Sequence, residues 1–129
     1  MWPLLCWLTG RNFSVKLLLA IIRPTKLQAV QEALKAVGVE RMTVCDAHGY
    51  GRQRGRTETY RGVEYKINLL RKVVLEVVVN DDFVDRTVDA IEQVARTGSE
   101  GNIGDGKIFQ VPVVKTVRIG ETVEGPEAV

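Results

Sequence analysis

The sequence predicts an α+β fold in which two helices lie on one face of a four-stranded antiparallel sheet. Three observations lead there. Residues 15–22 and 72–79 are short, almost wholly apolar runs with the β-branched character of buried strands. Two helix-spaced apolar patterns each follow such a run, at 25–38 and 81–98. The whole reads in the order β-α-β-β-α-β. At 129 residues, 45% of them apolar, the chain is one domain with a modest core. Two cysteines exclude a disulfide-rich scaffold and a single His excludes a His-based metal cluster. With 18 basic residues against 16 acidic ones, no large field favours nucleic acid or a membrane surface.

The elements follow in chain order. Residues 1–14 hold Trp2, Leu4, Leu5, Trp7 and Leu8, an apolar run too short to span a bilayer and without the charged start of a signal peptide. They read as an extension, disordered or not native, with a membrane or partner anchor as the sharper alternative. Residues 15–22 make the first strand. Pro24 and Thr25 start a helix, with Thr25 as cap and Gln28 completing a capping box. Leu27, Val30, Leu34 and Val37 form its apolar stripe, and Gly38 stops it. Residues 42–49 are a weaker strand. No sustained periodicity covers 51–68, and a structureless stretch of that length in a small domain is typically functional or disordered.

Residues 72–79 (KVVLEVVV) are a central strand. Asp81, Asp82 and Asp85 crowd the start of the second helix, where carboxylates suit the dipole. Val84, Val88, Ile91 and Ala95 form its stripe and Gly98 ends it. Residues 107–113 are the last core strand, with 117–119 a short addition and 122–129 a flexible tail. This is the split βαβ, or ferredoxin-like, arrangement. Valines on both faces of the central strand leave an apolar sheet face for a second copy to cover.

Polar groups that such a fold does not require lie in three places. Glycines flank Asp105 in GDGKIF (104–109) and Lys107 follows, which suits a phosphate nest or an ordinary tight turn. In the long loop and its base, Arg52, Arg54, Arg56, Arg61 and Lys66 stand against Glu58 and Glu64, either as a polyanion cradle or as a solvated loop. Tyr50, Tyr60 and Tyr65 also fall there, Tyr65 between Glu64 and Lys66 where covalent modification is feasible. Glu76 is the sole carboxylate in its strand, so the reading is of a buried acid in need of a partner such as Thr43 or Lys72. Cys45 packs as a small apolar residue. No triad, paired-carboxylate motif or metal-ligand spacing is present.

Three motifs in this order, GYGRQRGRTE (49–58), YRGVEY (60–65) and TG…GDGKIF (97–109), closely resemble the nitrogen-regulatory PII signal-transduction proteins, over about 15–121. The resemblance implies a homotrimer of ferredoxin-like subunits in the cytoplasm, with ATP and ADP competing for clefts between subunits. It implies that Mg²⁺ and 2-oxoglutarate join ATP at the base of a loop, about 51–68, that the family calls the T-loop. That loop would dock on ammonium transporters or nitrogen-control enzymes, the only membrane association being through a transporter, with no nucleic-acid partner.

Residue by residue, the resemblance assigns Gly49, Gly51 and Arg52 to the phosphates. It assigns Thr43, Glu76 and Val78 to base and ribose, Gly104, Asp105, Gly106 and Lys107 to a second phosphate loop, and Arg118 to a reach across the cleft. Gln53 would hold Mg²⁺ and 2-oxoglutarate, with Arg54 and Gly55 beside it and Lys72 pairing the effector carboxylate. Tyr65 matches a tyrosine that carries a nucleotidyl group in some lineages.

The chain departs from the family pattern in four ways. Residues 99–102 stand where one residue is usual. After Arg118-Ile119 the chain has Gly120-Glu121, without the usual second Arg and Thr. Val63 occupies a Ser that some members phosphorylate. The N-terminal extension has no counterpart, so the family's chain would begin near Val15. The rival readings are a regulator specialised to nitrogenase or carbon uptake, a nucleotide-using enzyme lacking a Walker loop, and a metal-binding trimer short of Cys and His.

Overall fold

A computed structural model describes residues 14–50, 57–60, 63–66 and 69–129, with side chains described outside 50, 57–60 and 63–66. Strand β1 (Val15–Ile22) leads through a 3-10 turn at Pro24–Lys26 into helix α1 (Leu27–Ala36). Strands β2 (Thr43–Tyr50), β3 (Thr57–Tyr60), β4 (Val63–Lys66) and β5 (Leu69–Asn80) follow, then helix α2 (Asp81–Ala95) and strand β6 (Gly106–Pro112). The main sheet is antiparallel with strand order β2-β5-β1-β6, and β3 and β4 form a separate two-stranded sheet. The long non-consecutive pairings are those of the expected ferredoxin-like fold.

Alternation along the strands decides which residues are covered. Leu18, Ala20 and Ile22 of β1, with Val73, Leu75, Val77 and Val79 of β5, are buried beneath the helices. Val30 and Leu34 of α1 and Val84, Ile91 and Ala95 of α2 complete this core. Each Val, Leu or Ile among them contributes about 1.5–3 kcal/mol by leaving water. Thr87, wholly buried in α2, satisfies its hydroxyl by donating to the Phe83 carbonyl.

The end of α1 matches its sequence signal. Gly38 has φ +90, its N–H donates to the Lys35 carbonyl and the Val39 N–H to that of Leu34, the paired bonds of a Schellman motif. The start of α1 does not. Thr25 lies inside the 3-10 turn, no side chain caps the helix, and Gln28 donates to Glu32 instead. The tight turn supplies the bonds that a capping box would have made, with the Lys26 N–H on the Arg23 carbonyl.

Where no regular structure is expected between 51 and 68, the backbone pairs Thr57 with Lys66, Glu58 with Tyr65, Thr59 with Glu64 and Tyr60 with Val63. Strands of four residues are too short for their alternation to stand out, although Thr, Tyr and Val favour them. The last strand begins one residue earlier than expected and ends at Pro112. In the segment read as a flexible tail, Glu124 bridges Val117, and a 3-10 turn at Gly125–Ala128 buries Ala128.

Candidate functional site

The open face of the sheet, away from the helices, carries two registered rows. Thr43, Glu76, Leu19 and Phe109 lie side by side across β2, β5, β1 and β6. Cys45, Val74, Ile21 and Lys107 form the row beside it. Val78, Leu17 and Val111 extend the face across β5, β1 and β6. Thus three residues assigned to base and ribose, Thr43, Glu76 and Val78, share one face. Glu76 is exposed there, not buried, because the odd-numbered residues of β5 take the helix side. Cys45 is likewise an exposed free thiol rather than a packed one. Phe109 is 47% exposed and Val78 and Val111 nearly as open, so this face is apolar and uncovered in the single chain.

At one end of the face, β1 and β6 stop pairing at Ile22 and Gly106. Gly106 has φ +126, and a Cβ on it would fall 1.8 Å from the Ile21 carbonyl oxygen, so glycine is required for the backbones to approach. Gly104 also has positive φ, at +95, and faces the Arg23 guanidinium and the Lys72 ammonium. Lys72 donates to the Gly104 carbonyl at 2.5 Å, and Gly49 on β2 lies against the Lys72 stem. Burial, then the adjacent Arg23 charge, hold the Lys72 ammonium below the usual lysine range, while Asp105 pulls the other way.

The loop between α2 and β6 is organised around Asp105. Its carboxylate accepts from the Thr97 hydroxyl at 2.6 Å and N–H at 2.9 Å, from the Asn102 N–H at 2.8 Å, and from Arg23 Nε at 3.1 Å. Burial alone would raise its pKa. The Thr97 bonds, then those of Asn102 and Arg23, outweigh burial and hold the group well below the usual carboxylate range. The Asp105 N–H closes onto the Asn102 carbonyl. Both the carboxylate and the amide of Asp105 are therefore engaged, by their own loop and, for the carboxylate, also by Arg23, and the open nest read from GDGK is partly closed.

The longer loop at 99–102 is part of this frame, since Asn102 supplies one of its bonds. It also walls a groove of about 620 Å³ above β6, floored by Ile91, Ala95 and Ile108 and rimmed by Glu92, Arg96 and Glu100.

Arg118 lies elsewhere. It donates to Glu121 at 3.1 Å and to the Ala128 carbonyl, and borders a cavity of about 330 Å³ with Gly38, Val78, Asn80 and Val129. That cavity is at the Val15–Asn80 end of the β1–β5 ladder, whereas Gly106 pairs with Ile22 at the other end. Seven steps of β1 separate the two, about 23 Å. Gly51, Arg52, Gln53, Arg54 and Gly55 lie outside the described residues, and Tyr65 is placed only by its backbone pairing with Glu58.

Over residues 15–122 the chain matches the family model described as nitrogen regulatory protein P-II. The chain belongs to the P-II family. It is 51% identical to a nitrogen regulatory protein P-II of Azospirillum brasilense over 110 residues, covering 85% of this chain and 96% of that one. It is 47% identical to the P-II protein of Bradyrhizobium diazoefficiens over the same length, with the same coverage of both chains. The crystal structure of Arabidopsis thaliana PII bound to citrate superposes with a TM-score of 0.72 at 32% identity, covering 91% of each chain. These P-II relatives are regulatory proteins by description, and this chain shares their fold.

Two residues that organise the site are absent from the motif-based assignment. Thr97 enters only as part of a motif, and Arg23 belongs to none. The signal for Arg23 is positional: it precedes Pro24 at the end of β1, and antiparallel pairing of Ile22 with Gly106 brings it opposite Asp105. Among the described residues no group of three or more His, Cys, Asp or Glu side chains is placed to hold a metal ion, and no helix is long and apolar enough to cross a membrane.

Proposed function

We propose that this P-II protein is a signal-transduction regulator rather than an enzyme, binding ATP or ADP in a site shared between copies of a homotrimer. The observation that carries this reading is the division of its nucleotide-assigned residues. Gly49 and 104–107 lie at one end of the sheet, Arg118 about 23 Å away at the other, and Thr43, Glu76 and Val78 on the open face between them. One chain cannot close both ends on one ligand. Copies packed through the apolar open face bring one chain's Arg118 toward the next chain's Gly104–Lys107 loop, and cover Leu17, Leu19 and Phe109 as they do so.

With ATP and Mg²⁺, 2-oxoglutarate is the proposed effector, one carboxylate on Lys72 and the rest on Gln53, Arg54 and Gly55. Gln53 would hold the Mg²⁺ together with the phosphates. The desolvated Lys72 ammonium beside Arg23 suits an incoming carboxylate. The citrate in the Arabidopsis relative supports a polycarboxylate as a ligand in this family. The segment 51–68 would carry the signal to an ammonium transporter or a nitrogen-control enzyme in the cytoplasm, with Tyr65 as the modification site. ATP and 2-oxoglutarate then raise each other's affinity by the same factor.

Calorimetry of ATP binding, with and without Mg²⁺ and 2-oxoglutarate, on protein of measured oligomeric mass tests this reading. Gln53→Ala is expected to abolish 2-oxoglutarate binding and spare most ATP affinity. Equal loss of both would reassign Gln53. An effector that fails to bind beside Mg²⁺ and ATP would favour a P-II regulator specialised to nitrogenase or carbon uptake.

A further inference from the structure

Arg23, to which no motif assigns a role, makes two hydrogen bonds to residues 103–105 at the edge of the Gly104–Lys107 loop. Pro24 disfavours helical backbone at the residue before it, and Arg23 is extended, with φ −68 and ψ 139. Its backbone therefore continues the line of β1 past the last registered pair, Ile22 with Gly106. From there Nε donates to Asp105 at 3.1 Å and Nη2 to the Ile103 carbonyl at 3.1 Å. Lys72, arriving from β5, takes the carbonyl between them, that of Gly104. Three consecutive residues, 103 to 105, are each held by a cation.

The two grips differ in kind. Arg23 holds with a planar fork that can serve two acceptors at once, and one of its acceptors is a carboxylate already fixed by Thr97 and Asn102. Lys72 donates to a neutral carbonyl, and its single ammonium on a flexible stem can turn to a better acceptor. An anion reaching Lys72 competes directly with the Gly104 carbonyl. When Lys72 turns away, the two bonds from Arg23 remain as the side-chain grip on 103–105 from the end of β1, beside the Ile22–Gly106 pairing.

We propose that Arg23 is a positioning residue that keeps residues 103–105 in shape when Lys72 leaves the Gly104 carbonyl for an anionic ligand. The phosphate loop then survives effector binding, which is a condition for the two ligands to assist each other. This inference rests on reading 104–107 as the phosphate loop and Lys72 as the effector's cation.

The test compares ATP binding to the wild-type protein and to Arg23→Gln, each without 2-oxoglutarate and with it at saturation. Without effector, Lys72 still holds the loop, and the variant is expected to lose no more than about threefold in affinity. With effector, the loss is expected to reach about tenfold, so that 2-oxoglutarate no longer improves ATP binding. A merely structural role would lower both affinities by one factor, and that result, or no loss at all, would overturn the proposal.

Arg23→Lys keeps the charge and can serve only one of the two acceptors, so it should fall between wild type and Arg23→Gln; it also serves if the Gln variant does not fold. Hydrogen exchange on the ligand-free protein gives a second readout. Exchange at the Asn102 and Asp105 amides should quicken about tenfold in Arg23→Gln, and by more than the product of the single effects when combined with Lys72→Met. Unchanged exchange rejects the grip. A wild-type protein that binds no ATP rejects the functional reading instead, while the exchange result still decides what Arg23 does to the loop.

Discussion

Replacing Asp105 by Asn removes the charge at the centre of the α2–β6 loop with almost no change of shape. The native carboxylate accepts four hydrogen bonds at 2.6 to 3.1 Å, from Thr97 twice, Asn102 and Arg23. Bonds to a charged group contribute about 1.5–3 kcal/mol each, which would total about 6–12 kcal/mol if they were independent. They are not independent, and the amide oxygen still accepts one or two of them. The Asp105 and Arg23 side chains also keep 16% and 26% of their exposure, so water compensates part of the loss. The expected destabilisation is therefore about 2–3 kcal/mol at pH 7, or a fall of about 6–15 °C in the unfolding midpoint for a domain of this size.

Circular dichroism melts at one fixed protein concentration measure this shift, because the midpoint of any protein that self-associates depends on concentration. The pH dependence gives the sign. The folded-state pKa of Asp105 is depressed, so its contribution is present in full above the ordinary carboxylate range near pH 4. It is lost as the pH falls below that range, and the gap between wild type and Asp105→Asn should narrow there. A variant within about 0.5 kcal/mol of wild type at pH 7, or a gap that does not change between pH 7 and pH 3, would refute the assignment of Asp105 as the organiser of this loop.

Two further substitutions probe the frame and the open face. Gly106→Ala places a methyl group 1.8 Å from the Ile21 carbonyl oxygen at φ +126, and is expected to cost about 3 kcal/mol or more by forcing β6 off β1; an unshifted urea midpoint would show that the strands part without cost. Leu19→Glu puts a charge beside Glu76 and Phe109 at the middle of the apolar face, and light scattering should show the proposed trimer replaced by monomer. An unchanged mass would move the subunit interface elsewhere.

Much of the fold was legible in the chain because its signals are local. The aliphatic run at 15–22, the Gly38 stop and the acidic start of α2 each report on their own few residues, and each matches an element. The capping box failed for a local reason too, since the 3-10 turn at Pro24–Lys26 meets the same bonding need. The β3–β4 pairing escaped notice because strands of four residues barely alternate. Of the candidate site, Lys72 and the Gly104–Lys107 loop stand out in the chain by residue type and motif order. Arg23 and the position of Arg118 do not, since neither follows from residues adjacent in the chain.

By itself the sequence determined the element order, the helix-facing stripes and the family, all of which depend on side-chain chemistry at fixed spacing along the backbone. Only the tertiary structure decided that Glu76 is exposed on the open face, that Asp105 turns its carboxylate inward, and that Arg23 and Lys72 grip the same three residues. Those outcomes depend on strand register, and register is set by which faces can be buried together across 80 or so residues of intervening chain. A one-residue slip of β1 against β6 would carry Arg23 away from Asp105 while leaving every motif in the sequence unchanged.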